Sequence, residues 1–439
     1  KKNGLVKKIG ISIYDPSECE KVMKLTRMDI VQAPLNIIDR RLDNSGWLSR
    51  LHAEEVEIHT RSVFLQGLLL MPRNRIPNIF NKWSEVWDQW ALKLKNNNMK
   101  TGILLINLGT PDSPSTQDVR IYLRELLSCD RVIDINPVAR WFLLNLLILP
   151  SRPRKSAKAY KKIWMDEGSP LLVFSEKLKT ALLEEFAEKD IPIELGMQCR
   201  KPSLKTAIGK LRGQNCDQII VLPLYPQYAS SSYGAAIEDL YKVVLNDWNI
   251  PYLQIIPPFF SDSRFIDAWA KIGLPYIEKK PDHVLFSFHG LPLRHLQKSD
   301  YTSKWCKNNY SCCKELIDEN RNCYSAQCYQ TAKLIAKSLK IEEEKWSVSF
   351  QSRLGRDEWV KPYTEPHLKE LAERGMKRVV VFCPSFVADC LETIEEIGIS
   401  AAEHFKEYGG EELKLVPSLN NHPEWVQALT SIIRQKLSV

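Results

Sequence analysis

His283-Val284-Leu285-Phe286-Ser287-Phe288-His289-Gly290 and Val379-Val380-Val381-Phe382-Cys383-Pro384-Ser385-Phe386-Val387-Ala388-Asp389-Cys390-Leu391-Glu392 decide the fold of this chain. Each begins as an uninterrupted apolar run, the pattern of a strand buried on both faces of a parallel sheet, and each ends in a small or polar turn. The second turn leads directly into Leu391-Glu392-Thr393-Ile394-Glu395-Glu396, a helical start. Ligands of open α/β sheets bind at the carboxyl ends of strands, so a histidine and a carboxylate delivered to two such ends can face one pocket.

The remaining strand candidates extend the same architecture. From Met99 onward, β-like runs at 102-107, 192-197, 218-224, 252-257, 283-288, 346-350, 378-383 and 414-417 alternate with long helical stretches. That rhythm predicts α/β architecture with two similar doubly wound parallel-sheet lobes and a cleft between them. The spacing breaks near Pro257-Pro258-Phe259, which divides lobe 1 (99-259) from lobe 2 (260-439), and a last helix, from about 423 to 437, is free to pack on either.

Residues 1-98 differ. Runs at 9-14, 29-36 and 56-64 carry a shorter βαβ rhythm, and the polar stretch Lys93-Leu94-Lys95-Asn96-Asn97-Asn98 separates them from the rest as a linker. Gln32 with Asn36, and Arg61-Ser62-Val63-Phe64-Leu65-Gln66-Gly67, resemble the later strands of the aldo/keto reductase barrel. The resemblance implies a fragment of a (β/α)8 barrel without reductase activity, because that family's catalytic residues would lie upstream of Lys1 and three strands cannot close a barrel.

With 439 residues, 44% of them hydrophobic, the chain is long enough for two or three domains with cores of their own. Its net charge of +8 is spread thinly, which argues against nucleic-acid binding. No signal peptide is read at Lys1 and no apolar segment reaches bilayer length, so the expected location is cytoplasmic. The 11 cysteines are then expected to be reduced; five of them, Cys306, Cys312, Cys313, Cys323 and Cys328, crowd together as thiols or metal ligands.

Several turns carry chemistry. Asn107-Leu108-Gly109-Thr110-Pro111 allows backbone to approach a ligand, and Tyr225-Pro226-Gln227-Tyr228 with Ser230-Ser231-Ser232 offers hydroxyl donors at a helix start. Phe350-Gln351-Ser352-Arg353 and Trp359 suit a flat ligand bearing carboxylates. Asp389, Glu392, Glu395 and Glu396 present four acceptors opposite the imidazole of His289, a donor mixture that suits Fe(II) or a similar first-row ion better than calcium.

These blocks, together with Gly168-Ser169-Pro170-Leu171 and Ser287-Phe288-His289-Gly290-Leu291-Pro292, stand in the order found in ferrochelatases, and the resemblance covers 99-439. It implies insertion of Fe(II), the metal substrate, into protoporphyrin IX to form haem in the last step of protohaem biosynthesis. It also implies that His289 is proton acceptor or metal partner and that Glu392 faces it across the ring. Asp389 and Glu396 become outer steps of the metal or proton path, and Leu108, Ser231, Ser232, Trp359 and Phe386 wall the porphyrin. Leu108 stands where other members carry Met or Tyr, and a leucine cannot ligate iron. Cys390 stands where some members carry histidine.

The apolar run Trp141-Phe142-Leu143-Leu144-Asn145-Leu146-Leu147-Ile148-Leu149, followed by Arg152, Arg154 and Lys155, resembles the family's pocket lip. It implies peripheral contact through 141-155 with the inner face of a membrane; a buried amphipathic helix is the alternative. The five cysteines resemble an internal [2Fe-2S] ligand set, with zinc or reduced thiols as the alternatives. Rival functions are a chelatase for another metal or tetrapyrrole (cobalt, or coproporphyrin III), a non-catalytic haem or metal carrier, and a bifunctional reductase and chelatase.

Overall fold

The structure, a computed structural model, describes residues 6-36, 38-71, 75-89, 99-306, 311-353, 355 and 357-437. The stretch 93-98 read as a linker lies outside the described residues. The chain divides into two compact units, 1-98 and 99-439.

In the first unit β1 (Gly10–Ser12), β2 (Ile30–Pro34) and β3 (Glu57–Arg61) form a parallel sheet in the order β1-β2-β3. Alternation in β2 buries Val31 and Ala33 with Ile13, Leu42, Trp47, Leu51 and Val56, a small core belonging to this unit alone.

The second unit contains two four-stranded parallel sheets. The first comprises β4 (Lys100–Gly109), β5 (Ile193–Cys199), β6 (Cys216–Pro223) and β7 (Tyr252–Ile255), ordered β5-β4-β6-β7. The second comprises β8 (His283–His289), β9 (Trp346–Gln351), β10 (Arg378–Phe382) and β11 (Glu412–Leu415), ordered β11-β10-β8-β9. Counted within its own lobe, each sheet has the order 2-1-3-4, so the two lobes repeat one topology. In such a sheet the chain reverses its winding between the first and third strands, and a crevice opens beyond their carboxyl ends.

Period-2 alternation explains how each sheet is sandwiched. On one face Ile103, Leu105, Ile220 and Leu222 of the first sheet share a large core with Val284, Phe286, Val380 and Phe382 of the second. On the other faces Leu104, Ile106 and Val221 belong to one separate core, and Leu285, Val379 and Val381 to another. The last helix, Pro423–Leu437, packs into the shared core through Trp425, Leu429 and Ile433, and so braces both lobes rather than choosing one.

Helical segments Pro137–Phe142, Leu143–Ile148 and Leu149–Ile163 follow one another without a break, the middle one π-helical. Further π-helical segments, Ser230–Gly234 and Glu392–Ala401, open the helices that follow β6 and β10. Such wide turns cost hydrogen-bond geometry and recur at functional sites.

Candidate functional site

An apolar cleft of the second unit encloses about 1140 Å³, its open mouth included. Much of its wall comes from the carboxyl ends of the first and third strands of each lobe and the loops after them: Asn107 to Thr110 at the end of β4, Leu224 to Gln227 with Ser231 and Ser232 after β6, His289 and Leu291 at the end of β8, and Ser385 to Ala388 with Cys390 to Glu392 after β10. The crevices of the two repeated topologies thus meet in one space. Because β8 and β10 are hydrogen-bonded neighbours, His289 and Glu392 both come from lobe 2.

The lobe 1 turns are held from behind. Asn107 donates to Ser175 Oγ (3.1 Å) and accepts from the Leu108 N–H (2.8 Å), while Thr110 donates to Ser169 Oγ (2.7 Å), which explains why Gly168-Ser169-Pro170 accompanies this turn. Gly109 has φ +100° and a Cβ there would fall 1.9 Å from the Cys199 carbonyl oxygen, so only glycine fits. The Tyr225 to Tyr228 block is fastened to lobe 2: Gln227 Nε2 donates to Thr331 Oγ1 (3.0 Å) and the Tyr228 N–H to Gln327 Oε1 (2.7 Å).

His289 ends β8 half-buried, its Nδ1 2.6 Å from the Gly290 carbonyl oxygen. A carbonyl only accepts, so Nδ1 carries the proton and Nε2 keeps its lone pair. The backbone on either side of the ring is also tied down: the His289 N–H donates to Ser385 Oγ (3.2 Å) and Tyr324 Oη donates to the His289 carbonyl (2.9 Å). The rings of Trp359 and Phe386 lie with centroids 6.3 Å from that of His289. Gly290 leaves room for this stack, since a Cβ would meet Trp359 at 3.1 Å and the Gln351 carbonyl oxygen at 2.8 Å.

A buried polar chain joins the strand ends. Gln351 Oε1 accepts from Ser287 Oγ (2.7 Å) and Gln351 Nε2 donates to the Glu392 carbonyl (2.7 Å), which fixes the first residue of the π-helix relative to β8 and β9. One π-turn further, Glu396 accepts from the Ser352 N–H (2.7 Å) and Oγ (2.5 Å). Ser352 presents both donors together by adopting φ 65°, an uncommon conformation for a non-glycine residue. Burial pushes the Glu396 carboxyl up from its ordinary value against these hydrogen bonds; the Glu392 charge adds to the rise and His289 opposes it. Burial likewise keeps the Cys390 thiol and the phenols of Tyr122 and Tyr160 protonated, and the nearby Glu392 acts in the same direction.

The four acceptors read from the sequence do not converge. Glu392 lines the cleft and Glu396 stands behind it, whereas Glu395 pairs with Lys162 (2.9 Å). Asp389 is buried, accepting from Ser418 N–H (3.2 Å), Thr393 Oγ1 (2.9 Å) and Asn420 Nδ2 (2.8 Å), bonds that anchor the turn after β10. Leu108, Ser231, Ser232 and Phe386 line the cleft; Trp359 stands beside His289 as a backing ring. Tyr122, Tyr160 and Tyr324 also line it. The sequence reading missed them because an isolated tyrosine in a helical pattern looks like core, and only the fold brings the three together.

Among the cysteines, Cys312 Sγ lies 3.9 Å from Cys313 Sγ, and Cys313 is hydrogen-bonded to Cys323. That bond, helped by the Ala326 and Ser325 N–H groups, lowers the Cys323 thiol below its ordinary value in spite of its burial. Cys328 is fully buried beside the Tyr324 hydroxyl, and Cys306 packs against the large core. Among the described residues no group of three or more His, Cys, Asp or Glu is arranged to hold a metal ion, so the five thiols do not form one preformed ligand shell.

In the long helix, Val138, Trp141, Phe142, Leu146 and Leu147 are 51 to 68% exposed. Among the described residues no helix is long and apolar enough to cross a membrane.

A family model described as Ferrochelatase matches residues 100–437. A ferrochelatase of Coxiella burnetii (strain CbuK_Q154) is 48% identical over 351 residues, covering 79% of this chain and 97% of the relative. A ferrochelatase of Legionella pneumophila (strain Corby) is 46% identical over 339 residues, covering 77% of this chain and all of the relative.

Proposed function

The chain belongs to the ferrochelatase family, and from that membership we propose that it inserts Fe(II) into protoporphyrin IX, releasing two protons and forming haem. The observation that carries this reading is the shared cleft: an imidazole with a bare Nε2 and a carboxylate line an apolar slot built from both lobes. Each pyrrole N–H that gives way to iron must lose its proton to a group within reach. Nε2 of His289, left without a proton by the Nδ1 bond to Gly290, takes one. Glu392 accepts the other and Glu396 passes it outward, its raised affinity for a proton matching that role. Asp389, saturated by its three donors, positions the Glu392 turn instead of relaying protons. Phe386 and Trp359 hold His289, and Phe386 presents flat apolar surface to the macrocycle. Leu108 offers no lone pair, so the product leaves without breaking an axial bond there.

Anaerobic Fe(II) insertion into protoporphyrin IX tests the reading. His289→Ala should lower kcat about 10³-fold. A variant within a few-fold of wild type would remove His289 from the mechanism. Coproporphyrin III and cobalt, offered in the same assay, distinguish the rival chelatase activities.

Three subsidiary readings belong here. The exposed apolar helix face, continued by Arg152, Arg154 and Lys155, supports peripheral docking on an anionic inner-membrane face from the cytoplasm. The adjacency of Cys312, Cys313 and Cys323, one with a lowered thiol pKa, supports a [2Fe-2S] centre completed by Cys306 or Cys328 once the segment closes on it. Such a centre would supply an electron-accepting group; charge-transfer absorption in anaerobically purified protein is its test. For residues 1-98, sequential parallel order supports the barrel-fragment reading.

A further inference from the structure

The long helical segment that begins at Pro137 has an unusual attachment. No residue of Pro137–Phe142 is buried, and in Leu143–Ile148 only Leu144 is. Leu144 joins the core of the following segment, with Leu143 and Ile148 packed against it, so packing fixes the first half only towards its end. Its second half is different: Leu149, Ala157, Tyr160 and Ile163 are buried in a core with Tyr122 and Leu127.

At the other end, the root of the first half is held by an ionic contact and by a bond from Arg140 to the Ile133 carbonyl (3.0 Å). Asp134 Oδ1 lies 2.6 Å from Arg294 Nη2 and 3.0 Å from His295 Nε2, and Oδ2 lies 2.7 Å from Lys298 Nζ. All three partners sit on Leu293–Lys298, the short helix just beyond His289, and Arg294 is paired in turn with Asp357. Burial opposes the charge on Asp134, yet the bonds from Arg294, Lys298 and His295 hold its carboxyl well below the usual carboxylate range.

The same stretch is a wall of the cleft. Val132, just before Asp134, lines it, as does Tyr160 in the well-packed half of the helix. Behind the contact lies a second, polar cavity of about 1270 Å³ including its mouth, lined in part by Arg131, Asp134, Ser230, Glu238, His295 and Lys298. Separating a buried ion pair is costly when its charges are left dry. Here the parted groups would be bathed by a water-accessible space, so the contact can open.

We propose that Asp134 and the helix Leu293–Lys298 form a releasable latch between the lobes that sets how fast the porphyrin product leaves the cleft. Asp134 is a positioning residue, acting through Val132 and the root of the helix. This rests on the proposed function for the identity of the product, but the latch itself has an independent readout.

The test uses the full chain with Asp134→Asn and, as a milder change at an exposed partner, Lys298→Gln. Hydrogen exchange of ligand-free protein reports the latch directly. In Asp134→Asn, amides 137-148 should exchange roughly tenfold faster while 149-163 stay as in wild type. Haem dissociation into excess apomyoglobin should accelerate by about fivefold or more with single-turnover insertion within twofold of wild type, and Lys298→Gln should shift both in the same direction by less. Unchanged exchange at 137-148, or equal acceleration through 149-163, overturns the latch. Faster exchange with unchanged haem release overturns its role at the cleft. If wild type inserts no iron at all, the functional reading fails while the exchange result still decides whether the latch exists.

Discussion

Glu396 illustrates how a single side chain can trade stability for chemistry. Its carboxyl binds a proton more tightly in the folded protein than in the unfolded chain, because burial penalises the charged form. The stability linked to this proton is complete below the ordinary carboxylate range and is lost as pH rises through the raised folded value. Glu396→Gln removes the titration. Thermal melts should give the variant a Tm close to wild type at about pH 4 and above wild type at about pH 8. A variant equally displaced at both pH values would show that the side chain does not titrate in this way. None of this was legible beforehand. Glu392 and Glu396 stand four apart in any helix, but the pairing with Ser352, which depends on a left-handed backbone at that serine, has no sequence signature. Asp389 shows the opposite limit. Its neighbours in sequence suggest a metal path, while Ser418 and Asn420, distant in sequence, occupy its oxygens.

At the scale of elements, Gln351 at the end of β9 links three structural pieces through one amide. Gln351→Leu keeps the volume but leaves the Ser287 hydroxyl and the Glu392 carbonyl without that partner. A loss of about 2 kcal/mol in denaturant unfolding is expected, with kcat down by roughly tenfold because Glu392 is no longer held in place. Equal stability would show that water takes over both bonds. The exposed half of the long helix makes a separate prediction. Leu146→Asp with Leu147→Asp should cut pelleting with anionic vesicles by about tenfold or more, since each leucine loses about 1.5 kcal/mol or more of apolar burial. Binding that persists would place the contact elsewhere. Elements were the most readable level of this sequence. β-like runs located the eight strands of the second unit among the described residues to within a few positions. The π-helical openings were not readable, because an i+4 pattern of glutamates looks the same in an α-helix.

At the scale of the molecule, the two units have separate cores, the smaller around Leu51 and Trp47. A chain beginning at Met99 should therefore insert iron within about twofold of the full-length rate, since additivity holds for regions without shared partners. A collapse of activity would assign residues 1-98 a part in catalysis. The α/β class and the parallel sheets followed from alternation of runs alone. The strand order did not, because neighbours in a sheet are chosen by long-range packing that no local window reports. Nor did the sequence reveal that one large core joins both lobes, with the final helix driven into it.

The shared edge between β8 and β10 has a consequence for how a rigid, bulky guest can enter. His289 ends one strand of this pair and Glu392 follows the loop that leaves the other, the two strands being locked in register from His283 opposite Val379 to Phe286 opposite Phe382. A guest entering the cleft therefore meets an imidazole and a carboxylate carried by one continuous sheet, with Gln351 tying that sheet to the Glu392 turn, so the spacing of the two groups is set within a single lobe.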